Sequence, residues 1–166
     1  QTDGYFEAKI GADIIGNIEI SDGLSSQDED TELGITLSGE YKTPVNSRWT
    51  AGGGIAYQLD RSADTSGASD FNFIPVYGIA QYNLVDSSMY LVGHLGYNLF
   101  DASGMSGLDK NGGTYYAAGI GFDLGQDTGY VMEAKYSVNN GEFEDDFGNT
   151  ADVQYSKFTV SVGTRF

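Results

Sequence analysis

The sequence contains one histidine, His94, and no cysteine. A histidine can act as a general base when a hydroxyl nucleophile and an orienting acid lie beside it. Serine and threonine are plentiful, but no motif marks one of them as a nucleophile, and the lack of cysteine excludes thiolate chemistry. We therefore expect His94 to be a hydrogen-bonded interior residue. We predict that the chain is not an enzyme and binds no cofactor.

Two glycine-rich stretches, Gly52-Gly53-Gly54 and Gly119-Ile120-Gly121, have glycines of the kind that line phosphate-binding loops. Such loops need a helix directly after them, and here both stretches lie within strand-like patterns. We expect close strand packing at these glycines and no nucleotide site. The net charge of −16 also excludes nucleic acid as a partner, because its binders carry basic patches.

Two acidic runs offer the carboxylate oxygens that divalent cations prefer. They are Asp28-Glu29-Asp30-Thr31-Glu32 and residues 142–146. The candidate metal ligands are Asp28, Asp30, Glu142, Glu144 and Asp146. Neither run has the spacing of an EF-hand loop, so a specific calcium site is the less favoured interpretation. We expect these runs to form a solvated acidic rim that attracts cations weakly and repels anionic partners unless divalent ions intervene.

The segments that position these residues alternate in character with a period of two. The last ten residues show this most clearly, since Phe158, Val160, Val162 and Phe166 are apolar at even positions and the odd positions are polar or small. Such alternation predicts a β-strand with one apolar face and one polar face. A soluble domain has little reason to end a strand on a large aromatic residue such as Phe166.

The same alternation predicts eight strands, at about residues 5–20, 32–42, 48–60, 71–84, 89–100, 114–124, 130–138 and 153–166. Long polar loops at about residues 21–31, 61–70, 101–113 and 139–152 alternate with short turns at about residues 43–47, 85–88 and 125–129. This rhythm is typical of a closed, antiparallel, up-and-down transmembrane β-barrel. The 166 residues are predicted to form one domain, 1–166. A bulge is predicted near Pro75. The aromatic residues Phe71 and Phe73 lie at odd positions, whereas the apolar residues after them lie at even positions, and an extra residue in the strand would explain the change.

Aromatic residues collect at the short-turn end of the predicted strands. On seven of the eight strands the apolar face carries an aromatic there: Phe6, Tyr41, Trp49, Tyr82, Phe122, Tyr130 and Phe166. A looser belt is predicted at the loop end, from Tyr57, Tyr97, Tyr116, Tyr136 and Phe158. Girdles of this kind mark the membrane–water interfaces of transmembrane barrels.

Charged residues within the predicted strands are balanced in sign. Six acidic residues (Glu7, Asp13, Glu19, Glu40, Asp123, Glu133) and six basic residues (Lys9, Lys42, Arg48, Lys135, Lys157, Arg165) all lie on the polar face. The other eighteen acidic residues are accompanied only by Arg61 and Lys110, so the net negative charge comes from residues outside the predicted strands. Unpaired buried charges are costly, so this balance indicates an enclosed lumen. We expect Lys9, Lys42, Lys135, Lys157 and Arg165 to pair there with Glu7, Glu40 and Glu133.

The whole chain resembles the small OmpA/OmpX-like outer-membrane barrels. The alternating strands, the loop rhythm, the motifs Gly119-Ile120-Gly121-Phe122-Asp123-Leu124 and Gly78-Ile79-Ala80-Gln81-Tyr82-Asn83-Leu84, and the closing Phe166 carry the resemblance. It implies a monomer in the outer membrane of a Gram-negative bacterium, surrounded by the lipid bilayer and lipopolysaccharide. It also implies that the assembly machinery reads the C-terminal strand. Members of such families include structural anchors, adhesins, serum-resistance factors, narrow channels and a few lipid-modifying enzymes.

Three functions remain compatible with the sequence. We expect a non-enzymatic barrel with a structural or surface-interaction role, acting through its acidic loops and holding a charge-paired, packed lumen. The first alternative is a narrow channel or small-molecule conduit. The second is a soluble ligand-binding barrel, which would carry its apolar face inside.

Overall fold

The computed structural model describes residues 3–21, 26–31, 34–58, 71–102, 109–125, 129–144 and 150–166. Within these ranges the chain forms nine β-strands: β1 (Tyr5–Ser21), β2 (Ser26–Thr31), β3 (Gly34–Pro44), β4 (Trp49–Gln58), β5 (Phe71–Asn83), β6 (Met89–Ala102), β7 (Asp109–Asp123), β8 (Tyr130–Glu144) and β9 (Thr150–Arg165). No helix in the described part of the chain is long and apolar enough to cross a membrane.

The nine strands form one antiparallel sheet that closes on itself. From β3 to β9 each strand pairs with the next, and β1 pairs with both β3 and β9. The far end of β1 pairs with β2, where Thr31 lies opposite Gly16. β2 and β3 therefore share one position around the barrel, and the predicted eight-stranded closed barrel is confirmed. The barrel closes at the seam between β1 and β9, where the Phe166 amide donates a hydrogen bond to the Phe6 carbonyl at 2.9 Å.

The apolar face of the sheet points outward and the charged face points inward. Phe6 is 63% exposed and Leu95 is 68% exposed, whereas Glu7 and Glu133 are 1% and 0% exposed. A protein in water buries its large apolar side chains and exposes its charges. A transmembrane barrel does the reverse, because lipid surrounds it. The predicted orientation is therefore confirmed, and the soluble alternative is wrong.

The strands extend further towards the long-loop end than the alternation predicts. Residues 26–31, predicted as loop, form β2, while β7 begins at Asp109 and β8 continues to Glu144. Backbone pairing can continue beyond the bilayer, where outward side chains no longer need to be apolar. The hydrophobic signal therefore ends before the strand does. The predicted loop at residues 61–70 lies outside the described residues.

The predicted bulge at Pro75 is wrong. β5 pairs with β6 in unbroken register from Phe71 to Asn83, and Pro75 lies opposite Asn98. Pairing of β5 with β4 begins only at Val76, so the proline lies where no β4 partner is needed. The register instead shifts between Asp13 and Ile15 in the pairing with β9, and between Gly112 and Tyr115 in the pairing with β8. The pairing predicted as one unbroken strand through residue 20 is therefore interrupted between Asp13 and Ile15.

Short turns connect the strands at one end of the barrel. In the first, the Asn46 side chain accepts hydrogen bonds from the amides of Arg48 and Trp49, each at 2.9 Å. Arg48, which we predicted to lie on a strand, is exposed within this turn. The second turn places Asp86 at a positive φ of 54°, a conformation that aspartate tolerates.

Candidate functional site

The centre of the lumen contains a layer of six buried charges, which we call the charge layer: Glu7 and Lys9 on β1, Glu40 and Lys42 on β3, and Glu133 and Lys135 on β8. Each strand contributes a glutamate and a lysine two residues apart. Because side chains of a strand alternate between faces, this spacing directs both charges into the lumen. Closure of the sheet through β9 then brings the side chains of β8 within reach of those of β1 and β3.

Lys9 is the centre of the charge layer. Its ammonium lies 2.7 Å from carboxylate oxygens of Glu40 and Glu133 and 3.0 Å from Glu7. Lys42 lies 2.8 Å from Glu7, 3.1 Å from Glu40 and 3.5 Å from Glu133. Each glutamate therefore contacts at least two lysines, which gives a connected network rather than separate pairs.

Lys135 occupies a looser position in the layer. Its ammonium lies 3.0 Å from Glu133 but 3.9 Å from Glu40, which is too long for a hydrogen bond. Space for its stem depends on Gly119 of β7, where an added Cβ would overlap the Ala134 carbonyl and lie 2.6 Å from the Lys135 Cγ. Small residues in the lumen thus make room for long charged side chains.

Two tyrosines complete the layer, and sequence reasoning missed both. The Tyr77 hydroxyl donates to Glu40 at 3.0 Å, and the Tyr90 hydroxyl donates to Glu133 at 2.8 Å. Both side chains are buried, and both lie on the polar parity of their strands. Their position on the polar face of a strand was the feature of the sequence that could have identified them as lumen residues. A buried carboxylate is stabilised only when hydrogen bonds accompany its ion pairs, and these hydroxyls supply them.

Arg165 lies at the short-turn mouth of the barrel, below the charge layer. Its Nε donates to Glu7 at 2.9 Å, and its guanidinium also pairs with Asp123 on β7. The same group lies 5.1 Å from the centre of the Tyr5 ring, within cation–π range. One side chain thus links β9 to β1 and to β7 across the mouth.

Lys157 does not join the charge layer, contrary to our expectation. Its ammonium lies 3.1 Å from Asp13 and 2.6 Å from the Thr36 hydroxyl. Thr159 donates to the same aspartate at 2.5 Å. Lys157 lies opposite Ser137 on β8, further towards the loop end than Lys135, so its ammonium meets a different acid.

His94 lies beside the charge layer, next to Tyr77, Tyr115 and Glu40. Its ring stacks on Tyr77 at 4.3 Å between centroids, and the Tyr115 hydroxyl lies 3.5 Å from Nδ1. Nε2 is 3.8 Å from Glu40 and has no hydrogen-bond partner within the described residues. The groups around it are aromatic rings and a carboxylate, which suits an interior packing role.

The girdle residues lie at the short-turn end of the barrel. Phe6 contacts Tyr41 and Trp49 contacts Tyr82, each pair with ring centroids 5.0 Å apart. The exposed fraction is 48% for Trp49, 57% for Tyr130 and 77% for Phe166, whereas Phe122 is half-buried. These rings lie on the outer face of the strands, at the end where the short turns are.

The candidate metal ligands are not assembled into a described site. Asp28 and Asp30 lie on β2, and Glu142 and Glu144 lie on β8, in stretches where the structure describes only the backbone. Asp146 lies outside the described residues. Glu7, Glu40 and Glu133 do converge within 4.8 Å, but Lys9 and Lys42 already occupy the space between them. That cluster is therefore an ammonium site rather than a metal site.

Residues 1–166 match the family model described as outer membrane protein beta-barrel domain. The chain belongs to this family. It is therefore a protein of the bacterial outer membrane, and its barrel sits in the lipid bilayer with lipopolysaccharide around it. Among curated proteins, no sequence matches this chain significantly.

Solved outer-membrane barrels share the fold at low sequence identity. Ail, the attachment invasion locus protein of Yersinia pestis, is 21% identical, with 96% of this chain and 98% of that chain covered and a TM-score of 0.57. A second Ail structure holds the heparin analogue sucrose octasulfate. Neisserial surface protein A is 15% identical, with 97% of each chain covered and a TM-score of 0.58. OprG from Pseudomonas aeruginosa is 15% identical, with 100% of this chain and 97% of that chain covered and a TM-score of 0.55.

Proposed function

We propose that this barrel is a non-enzymatic surface protein, in which a packed lumen holds acidic loops in place for contact with partners outside the cell. The observation that carries this proposal is the position of Lys9, within 3.0 Å of three glutamates from three different strands. An eight-stranded barrel is only wide enough for its own side chains, and this layer fills it. Function is then left to the surface that the loops form.

The charge of the loops limits the chemistry of the partner. Fifteen acidic residues lie in or directly beside the four predicted long loops, where Arg61 and Lys110 are the only basic residues. Ail has been crystallised with a heparin analogue, which is a polyanion. The acidic rim of this barrel carries charge of the same sign as such a ligand and repels it, because like charges across an interface are costly. The partner of this barrel is therefore a basic surface, or lipopolysaccharide bridged by divalent cations.

Loop grafting tests the proposal. Residues 22–33, 59–70, 103–108 and 142–152 are transferred to an unrelated eight-stranded barrel, and retention on immobilised poly-lysine and on immobilised heparin is measured. We expect salt-sensitive retention on poly-lysine to move with the loops, and no retention on heparin. The matched control carries the same loops with every Asp and Glu changed to Asn and Gln. Retention that stays with the original barrel contradicts the proposal.

Divalent cations are proposed to bind the acidic rim weakly. Asp28 and Asp30 are close in sequence, and so are Glu142 and Glu144, but neither run has the spacing of a calcium loop. Calorimetric titration of the refolded barrel with calcium should give binding that weakens strongly with added salt. A tight, stoichiometric site that persists at high salt would show that the rim binds calcium specifically.

A narrow conduit is the second candidate. It is favoured by the polar lumen and by the loose position of Lys135, whose ammonium has one close carboxylate. Planar-bilayer recording distinguishes the two candidates. The packed lumen predicts a silent bilayer, and reproducible unitary currents from the unmodified protein would favour the conduit.

The C-terminal strand is proposed to be the segment that the assembly machinery reads, and the folded barrel is proposed to be a monomer. Among the large apolar side chains whose exposure the structure describes, Phe166 is the most exposed, at 77%, and it directly follows β9. Phe166→Ala should lower assembly in cells while unassisted refolding into lipid vesicles is unchanged. Trp49→Ala, also at the girdle, is the control that should not affect assembly selectively. Cross-linking of the refolded barrel tests whether it is a monomer, and we expect no cross-linked dimer.

A further inference from the structure

The outer face of the barrel carries an open apolar groove near its short-turn end. The groove crosses β1, β3 and β4 and has a volume of about 430 Å³. Ligand pockets in proteins have volumes of roughly 300–1,000 Å³, so the groove has room for part of a small molecule. Small residues form its floor and large apolar residues its walls: Ala8, Gly39 and Gly53 below, and Phe6, Tyr41 and Ile55 around them.

The register of the strands creates this groove. Gly39 on β3 lies opposite Ala8 on β1 and Ile55 on β4. Gly53 on β4 lies opposite Tyr41 on β3. All five residues are exposed, on the face of the sheet that points away from the lumen. The backbone is therefore bare at the two glycines, while larger side chains stand beside it.

The barrel itself does not require glycine at these two positions. Neither Gly39 nor Gly53 has a positive φ. A Cβ added at Gly39 would lie within 4 Å of no other described atom, and the nearest atom to one at Gly53 would be 3.6 Å away. Glycine weakens a strand, and it often marks a place where a ligand approaches the backbone closely. The open space at the two glycines therefore suits a partner from outside the chain.

The position of the groove indicates what covers it. It begins at Phe6 and Tyr41, which belong to the predicted aromatic girdle, and it extends to Ile55, further from the short turns. Girdles of this kind mark a membrane–water interface, and the short turns of such barrels are periplasmic. The groove is thus continuous with the lipid-facing surface in the periplasmic leaflet. Lipopolysaccharide lies at the opposite, long-loop end, so the lipid at this end is phospholipid.

A cationic side chain lies near the level where the head group of that lipid would be. Arg48, in the turn that joins β3 to β4, is the one fully exposed basic residue among those whose exposure the structure describes. One nitrogen of its guanidinium lies 3.4 Å from the Tyr82 hydroxyl, and a guanidinium has five donors in all. Arginine binds phosphate through paired hydrogen bonds. Gly53 follows Arg48 by about 16 Å of extended strand, which a glycerol backbone and the first half of an acyl chain can bridge.

We propose that the groove binds one phospholipid of the periplasmic leaflet, with an acyl chain along Gly39 and Gly53 and the phosphate at Arg48. The hydrophobic effect does not favour the groove over the bilayer, because both are apolar. The preference comes from van der Waals contact with the bare backbone and from the hydrogen bonds to phosphate. The inference goes beyond the proposed surface role, because it concerns the opposite end of the barrel and does not depend on the loops.

Native mass spectrometry of the barrel, refolded into phospholipid vesicles and extracted with mild detergent, tests the proposal. We expect a species that retains one phospholipid. Gly39→Leu places a side chain in the groove and should remove this species. Gly93→Leu, at a glycine on the outer face of β6 that does not line the groove, is the matched control and should keep it. Absence of the species from the unmodified barrel, or its equal abundance in both variants, overturns the proposal.

The role of the phosphate is tested by competition. Vesicles that contain phospholipid and diacylglycerol in equal amounts offer the same acyl chains with and without the phosphate. We expect the retained lipid to be phospholipid. Equal retention of diacylglycerol would overturn the placement of the phosphate at Arg48.

Photo-cross-linking of the unmodified barrel gives a further test that does not depend on the folding of any variant. A phospholipid with a photoreactive group in its acyl chain is incorporated into the vesicles, and the labelled residues are mapped by mass spectrometry. Labels should concentrate on the outer faces of β3 and β4 around Gly39 and Gly53. Uniform labelling around the barrel overturns the proposal. So do cross-links between two barrels at these strands, which would show that a second copy of the chain covers the groove.

Discussion

The Arg165 Nε donates a hydrogen bond to the Glu7 Oε2 at 2.9 Å, which joins the residue before the C-terminal Phe166 to the first strand of the barrel. Beside it, the backbones of Phe6 and Phe166 exchange two hydrogen bonds, at 2.9 and 3.3 Å. Closure of the barrel and completion of the charge network therefore take place at the same point of the structure. Glu7 also contacts Lys9 and Lys42, so the seam is tied directly to the centre of the lumen.

Replacement of Arg165 should weaken this seam. Arg165→Gln removes a charge-assisted hydrogen bond from Glu7, and we expect the free energy of unfolding to fall by about 2 kcal/mol. Urea unfolding from lipid vesicles, followed by gel mobility without heating, measures the loss. Arg48→Gln, on an exposed arginine in the first short turn, should change stability by less than about 0.5 kcal/mol. Equal losses in the two variants would mean that Arg165 contributes only as a surface charge.

Removal of Lys9 should be among the most damaging single changes in the lumen. Lys9→Met leaves three buried glutamates short of a counter-ion, and we expect a loss of about 3–5 kcal/mol. Glu133→Gln alone should also destabilise, because Lys9 and Lys135 lose a partner. The double variant should be more stable than the sum of the single losses predicts, by at least about 1 kcal/mol. Strict additivity in a double-mutant cycle would show that the two groups are not coupled.

A charge on the outer face should report whether that face meets lipid. Leu95 and Val45 are similarly exposed, at 68% and 64%, but Leu95 lies on a strand and Val45 lies in a short turn. Leu95→Lys should cost about 2–4 kcal/mol if its position is near the bilayer centre, since hydrocarbon cannot solvate an ammonium. Val45→Lys should cost little, because water surrounds the turn. Refolding into vesicles measures both, and an equal effect at the two positions would contradict the lipid-facing orientation.

Two glycines should respond in opposite directions to the same substitution. At Gly119 an added Cβ would overlap the Ala134 carbonyl, whereas at Gly39 no atom lies within 4 Å of it. Gly119→Ala should therefore destabilise the barrel, because the backbone of β8 cannot move without disturbing Lys135. Gly39→Ala should be neutral or stabilise by about 0.5–1 kcal/mol, since alanine loses less backbone entropy on folding. Thermal unfolding in detergent gives the comparison, and a loss of stability in both variants would mean that general strand crowding, rather than local contact, decides the outcome.

The extent of the strands shows one limit of reading the sequence. The alternating pattern correctly located those parts of the strands that cross the bilayer. Lipid on one side and a polar lumen on the other impose a period of two on their residues. Residues 26–31 carry no such pattern, yet they form β2 opposite the far end of β1. Backbone hydrogen bonds hold that extension, and they leave no mark on side-chain polarity. The register shift after Asp13 was missed for the same reason.

The sequence by itself determined the period, the face that most strand side chains occupy and the balance of charge on the inner face. These are local properties, fixed by how successive side chains of a strand point in opposite directions. The tertiary structure decided which charges meet. Lys9 binds Glu133, which is 124 residues away along the chain, and Lys157 binds Asp13 rather than a glutamate of the charge layer. Such contacts depend on the register and on the closure of the whole sheet, and no local pattern contains either.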